Sequence, residues 1–220
     1  MTQSSFIVAL VAYSGFGQAE TKLDLFAGDS LAGRATYSEK FDHKGRKTSV
    51  FRLYGSTDPS VKRTIVQVRV IDSRAFPISE EETIVEEGPR GKSEILLKVR
   101  YDDSGAAILD MTRDRLATIT RSYVPLPGYS RADASDLWFS KSKPSQGTSI
   151  RSTVFDIENA KWQRVETTYL GKHWISVSGR KIEVHEVRDV RDGVVREVFL
   201  DDRGQPVLMR TGQYRTEKHF

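Results

Sequence analysis

Glu183 and His185 stand two residues apart in a segment that alternates polar and apolar side chains, so on a strand they share one face. Such a pair could ligate one cation. A metal centre needs a third and a fourth ligand, and the remaining histidines, His43, His173 and His219, fall into no ligating spacing. No metal site is predicted. Carboxylates come in runs: Asp102-Asp103, Asp201-Asp202 and Glu80-Glu81-Glu82. Hydrolysis of a glycosidic bond asks for two carboxyls facing each other, one of them held protonated by burial. Adjacent aspartates on a strand point to opposite faces, and these two pairs sit where the chain turns, a role that explains them without catalysis. The chain has no Gly-x-Ser-x-Gly elbow, phosphate-binding loop, His-Glu-x-x-His helix or dinucleotide fingerprint. Its acidic turns lack the Asp-x-Asp-x-Asp spacing of a dedicated calcium loop. No catalytic residue and no cofactor are assigned, and a hydrolase assembled from scattered carboxylates and histidine stands as an alternative only.

Aromatic side chains supply the other candidate site. Trp138, Phe139, Trp162, Tyr169 and Trp174 concentrate in the second half of the chain. They are either core, since large rings serve to bury area, or the lining of an apolar cleft. In the cleft reading the ligand-binding residues are Leu137, Trp138, Phe139 and Trp174, with the first three covering the concave face of a bent sheet.

The elements that must position these groups are strands. Val66, Val68 and Val70 alternate with Gln67 and Arg69, and Ile95, Leu97, Val99 and Tyr101 share one face. Ile182 and Val184 alternate with polar neighbours, and Val194, Val198 and Leu200 share a face with Arg196. This period-two pattern predicts half-buried antiparallel strands with the apolar side inward. Asp42-His43-Lys44-Gly45, Gly88-Pro89-Arg90-Gly91, Ser178-Gly179 and Arg191-Asp192-Gly193 punctuate them as hairpin turns. Gly171-Lys172 reads as a turn as well, and Asp110 to Leu116 as room for a short helical turn. Ser130 to Phe139 is the best helix candidate, with Ser130 as its cap. The chain nearly repeats itself at an offset of 99 residues: Val99 to Leu109 aligns with Val198 to Leu208, each a strand entering Asp-Asp-x-Gly and leaving as a strand. The prediction is an all-β, strongly curved antiparallel sheet, a half-barrel, built from two similar modules (about 20–124 and 148–220) with a short helical or irregular connection, 125–147. Leu137, Trp138 and Phe139 would pack that connection against the sheet.

Composition agrees. Charged residues make up 29% and hydrophobic ones 38% of 220, a lean apolar content that suits a sheet with one wet face. The net charge of +4 is well mixed, and no Lys/Arg stripe suggests nucleic acid. The alternation Arg188-Asp189-Val190-Arg191-Asp192 reads as a solvated face. Residues 1–19 contain no Lys, Arg, Asp or Glu, Phe6 to Gly17 is largely apolar, and Gly17-Gln18-Ala19 offers small residues where a signal peptidase reads. A secretory signal peptide cut after Ala19 is expected, with no transmembrane anchor after cleavage. The absence of cysteine is compatible with export and points to a bacterial periplasm or cell exterior.

With that start, the segment Asp136-Leu137-Trp138-Phe139, Pro144 and Gly147, and the closing Phe199-Leu200-Asp201-Asp202-Arg203-Gly204-Gln205-Pro206-Val207, the chain resembles bacterial exported half-barrel proteins of the lipoprotein-carrier-like type and related uncharacterised periplasmic β-proteins. The resemblance implies a non-catalytic extracytoplasmic binding or accessory protein, with a lipophilic small molecule as the leading ligand. The alternative is a structural or interaction domain for an envelope protein.

Overall fold

The computed structural model describes residues 20–56, 60–74, 76–104, 106–114, 120–127, 138–139 and 142–220. The expected signal segment, 1–19, and all of the predicted helix except Trp138 and Phe139 lie outside the described residues; those two are helical. Period-two alternation becomes fourteen strands: β1 (Thr21–Ala27), β2 (Ser30–Phe41), β3 (Lys47–Gly55), β4 (Lys62–Ile71), β5 (Pro77–Gly88), β6 (Gly91–Tyr101), β7 (Ala107–Arg113), β8 (Thr120–Val124), β9 (Ser149–Asp156), β10 (Lys161–Val177), β11 (Arg180–Arg191), β12 (Val194–Leu200), β13 (Pro206–Thr211) and β14 (Tyr214–Lys218). They form one antiparallel sheet in the order β8-β7-β6-β5-β4-β3-β2-β1-β14-β13-β12-β11-β10-β9. Every neighbour is a hairpin partner except one: β1 pairs with β14, for example Leu25 with Thr216, and this joins the two predicted modules edge to edge.

The sheet is rolled and its edges are not joined by a ladder. Leu23, Leu25, Ala35, Tyr37, Phe51, Leu53, Ile65 and Ile84 pack together on the inner face of β1–β5. At the far end, β9 and β10 turn Val154, Gln163 and Val165 to one side, while Phe155 and Trp162 point to the other. Phe155 packs there on Leu97, Val99, Ala107 and Leu109 of β6 and β7, with Trp162 and Tyr101 at the margin. The indole N–H of Trp162 donates to the Val124 carbonyl at 3.2 Å. Since Leu97 and Val99 are themselves inner-face residues, the β9–β10 end lies inside the β6–β8 end. Side-chain packing thus covers one edge of the sheet, a standard remedy for an unpaired ladder.

Phe139 is buried inside this roll among Tyr169, Val187, Val198, Leu200 and Met209, with half-buried Trp138 against it, so the connection packs on the sheet at that point. On the opposite face of β12 and β13, Phe199, Val207 and Leu208 cluster with Val177 and Val184 from the distal β10–β11 hairpin. A bulge between Tyr169 and Gly171 redirects that hairpin, and Gly171 (φ 112) supplies the conformation it needs.

The Asp turns recur more often than the 99-residue repeat suggests. In the β2–β3, β4–β5, β6–β7 and β12–β13 turns, Oδ1 of Asp42, Asp72, Asp102 and Asp201 accepts from the backbone N–H groups two and four residues on, at 2.8–2.9 Å. The backbone N–H of each aspartate donates to the carbonyl four residues on at 2.8–3.0 Å. Three of the four stand 30 residues apart, the length of one down-and-up excursion of the sheet.

Three local expectations are corrected. Of the segment Asp110 to Leu116, expected as a helical turn, Asp110 to Arg113 belong to β7, and residues 115–116 lie outside the described residues. Gly171-Lys172 is the strand bulge rather than a turn. On β4 the buried face is Ile65, Gln67 and Ile71, whereas Val66, Val68 and Val70 are half-exposed. A glutamine was inside and three valines were not, because the register of β4 is set by Ile65 and Ile71, and Gln67 finds a partner indoors.

Candidate functional site

Gln67 lies in an inner-face row that register alone defines: Tyr37, Phe51, Gln67, Glu82, Leu97 and Met111 follow one another across β2–β7. In that row Glu82 is wholly buried. The Gln67 amide donates to its Oε2. Burial pushes the Glu82 carboxyl up to about 8, against the lowering effect of Gln67 and with help from the charges of Glu158 and Glu80. At neutral pH it carries its proton. Glu158, in the β9–β10 turn, is also raised by burial, and it hydrogen-bonds to Glu82 once that group is protonated.

These two carboxyls line a cavity of about 380 Å³ between the inner face of β4–β5 and that of β9–β12. Gln163 enters from β10, its amide donating to Asp156 Oδ2 at 2.8 Å. Across the cavity Asp189 of β11 and Arg196 of β12 form a buried ion pair. Arg196 Nε donates to Asp189 Oδ2 at 3.1 Å and the Thr167 hydroxyl to Oδ1 at 2.7 Å. The cavity opens at the rim where Asn159, Asp192 and Val194 are exposed. Glu82 and Glu158 meet each other in its wall when Glu82 is protonated, whereas the buried Gln163 Oε1 receives no hydrogen bond from the protein. Leaving such an acceptor unpaired costs about 1–3 kcal/mol.

A second polar cluster holds the histidine of the sequence reading. Tyr169 Oη and His185 Nδ1 are 2.8 Å apart, and His185 Nε2 lies 3.1 Å from Asp202 Oδ1. Lys172 Nζ bridges Asp202 (3.2 Å) and Glu183 (3.1 Å). Glu183 and His185 are thus linked through Lys172 and Asp202 and do not jointly face an ion; among the described residues no cluster of three or more His, Asp or Glu suits a metal. Burial raises the Tyr169 phenol, so it is no activated nucleophile. The Phe139 ring contacts His185 edge-on at 4.9 Å between centroids, which makes the cluster the polar lid of the Phe139 core.

Of the four aromatic and aliphatic candidates, Phe139 and Trp138 come together inside the roll. Trp174 stays outside at 63% exposed, under Lys181 at 5.6 Å. Leu137 lies outside the described residues. Sequence reasoning missed Gln67, Glu82, Glu158, Gln163, Asp189 and Arg196. It read Asp189 as part of a solvated face, yet Asp189 is 3% exposed. The available signal was parity: Glu80 and Glu82 continue the inward series of Ile84, and Arg196 that of Val198 and Leu200.

No model of a known protein family matches this chain, and no curated protein sequence matches it. Among solved structures it is similar to a β-barrel-like protein of a domain of unknown function, DUF1849, from Brucella abortus. That likeness has a TM-score of 0.64 at 13% identity and covers 91% of this chain and 94% of the other. It shows the fold.

Proposed function

We propose that this is a non-catalytic binding protein that holds a small polar molecule in the cavity between β4–β5 and β9–β12. One observation carries the reading: a space of about 380 Å³, open at one rim, is lined mainly by polar and charged side chains, with Gln163 Oε1 left unpaired in its wall. A roll made only for stability would fill that space with apolar groups, because buried unpaired polar atoms weaken it. The lining favours a polar ligand over the acyl chain that a carrier-like protein would take; support for the lipophilic reading comes from Phe139 and Trp138, whose surroundings are already closed by protein side chains. The hydrolase alternative draws on the two carboxyls of that wall, both raised by burial. However, Glu82 and Glu158 are within hydrogen-bonding reach of each other, and a retaining glycosidase keeps its pair about 5–5.5 Å apart. We place the protein outside the cytoplasm of a bacterium, on the uncharged apolar run of residues 1–19 and the absence of cysteine.

The test is native mass spectrometry of the protein purified from the envelope fraction of its host, with and without Glu82→Leu. A polar adduct lost in the variant is expected. An apo mass for both, together with no binder in a ligand-observed NMR screen of polar metabolites, would overturn the reading.

A further inference from the structure

We infer that the outer edge of β10, from Lys172 to Val177, pairs with the same edge of a second copy of this chain, antiparallel about a two-fold axis at Trp174. β10 runs on past its neighbour. β9 covers it only from Lys161 to Thr168, and the last backbone bonds on that side join Tyr169 to Gly147 (2.8 Å) and Thr148 (3.0 Å). Beyond the Gly171 bulge, β11 is the one strand among the described residues that lies against it. Lys172, His173, Trp174 and Ser176 are exposed there. Proline and uncompensated lysine, which commonly protect such an edge, are missing: Lys172 is held by Glu183 and Asp202 at 3.1 and 3.2 Å.

The hairpin turn decides which backbone groups face outward. Ser178 and Gly179 (φ 48 and 76) form a two-residue loop. The flanking Val177 and Arg180 therefore exchange their hydrogen bonds, as do Ile175 with Ile182 and His173 with Val184. The N–H and C=O groups of Lys172, Trp174 and Ser176 then point away from β11. An antiparallel copy engages all three residues in a single register, the one centred on the middle residue. That register sets Trp174 against the partner's Trp174, Lys172 against the partner's Ser176, and His173 against the partner's Ile175. No like charges oppose each other, and a ring that is 63% exposed meets an identical ring. A foreign strand would have to bring this match in its own sequence, whereas the two-fold supplies it from this one and closes the contact as a dimer. The pairing is independent of the cavity.

Sedimentation velocity on the full chain, from about 5 to about 500 µM, reads the association, and hydrogen exchange reads the edge. The expected result is a monomer–dimer equilibrium, with exchange across residues 172–176 slowing as the dimer forms. Trp174→Lys sets two ammonium groups opposite each other at the two-fold and should weaken the dimer about tenfold or more. Ser176→Pro removes one outward N–H and leaves the β11 ladder whole, so it should weaken the dimer too, while Ser176→Ala keeps it. Circular dichroism checks the sheet in each variant, and Trp174→Lys, at an exposed position, decides should Ser176→Pro unfold. A monomer at every concentration would overturn the inference. So would a dimer that Trp174→Lys leaves intact, or one that forms without slower exchange at 172–176.

Discussion

Gln67 and Glu82 sit directly opposite each other on β4 and β5, and the amide of the first donates to Oε2 of the second inside the roll. The glutamine satisfies half of a carboxyl that the fold has taken out of water. Because burial lifts Glu82 from its ordinary 4.5 to about 8, the folded chain holds a proton between those values that the unfolded chain has lost. Stability therefore falls as pH rises through that window. Urea unfolding at pH 5, 6.5 and 8 should show the decline. Glu82→Gln should flatten it and exceed the parent at pH 8 by a few kcal/mol, on the order expected for such a shift. Parallel pH profiles for parent and variant would remove Glu82 as the cause.

The acid limb has the opposite sign. The Arg46 guanidinium, 2.6 Å away, and the turn's backbone N–H groups hold the Asp42 carboxyl at about 2, below its usual 3.8. Asp102, Asp110 and Asp202 shift the same way, through Ser104, Arg121 and Lys172 respectively. A carboxylate lowered by folding stabilises the native state above its unfolded value and loses that effect as pH falls toward its folded value. Carboxyl-detected NMR should place the Asp42 midpoint near 2, with unfolding setting in below pH 4. An ordinary midpoint would mean that the turn leaves Asp42 unconstrained.

The architecture was legible because strand alternation and Asp-x-x-Gly turns are local signals. Asp201 closes its hairpin with contacts that lie within five residues, and no tertiary information is needed to read them. The cavity was not legible, for a reason visible in β4. Val66, Val68 and Val70 out-compete Ile65, Gln67 and Ile71 as an apolar face by count, and only the pairing of Gln67 with Glu82 across strands makes the polar choice affordable. A rolled sheet also brings β5 against the β9–β10 turn, residues 82 and 158, through the overlap of its ends, which no sequence period records.

That overlap rests on Trp162. Its ring packs beside Tyr101 and Phe155 while its N–H holds the Val124 carbonyl. Trp162→Ala should cost about 3–5 kcal/mol in urea unfolding. Trp162→Phe, which keeps a ring and loses the donor, should cost closer to 0.5–1.5 kcal/mol. If both cost the same small amount, the seam is held elsewhere.

Phe139 and Trp138 are adjacent but unequal. Phe139 is 8% exposed and touches Tyr169 and His185, whereas Trp138 only flanks that core. Phe139→Ala should therefore cost about 3–5 kcal/mol and Trp138→Ala less. A larger loss at Trp138 in the same denaturation series would make the tryptophan the plug.

Gly33 and Gly55 face each other across β2 and β3, and the strands come so close there that neither position has room for a side chain. A Cβ on Gly55 would lie 2.3 Å from the Ala32 carbonyl oxygen, and one on Gly33 would lie 2.6 Å from that of Tyr54. Gly55 also holds φ at +151°, a region that L-residues avoid. Gly179, in the β10–β11 turn, has φ +76° with nothing within 4 Å of a built Cβ, so it isolates the backbone effect from the clash. Gly179→Ala should cost about 1–2 kcal/mol, the left-handed penalty alone. Gly55→Ala adds the displacement of two paired strands and should cost roughly 2–4 kcal/mol. Denaturation of the two variants side by side checks the difference. Equal losses would mean that β2 and β3 part easily at this point, and that the close approach contributes nothing to the bend of the sheet.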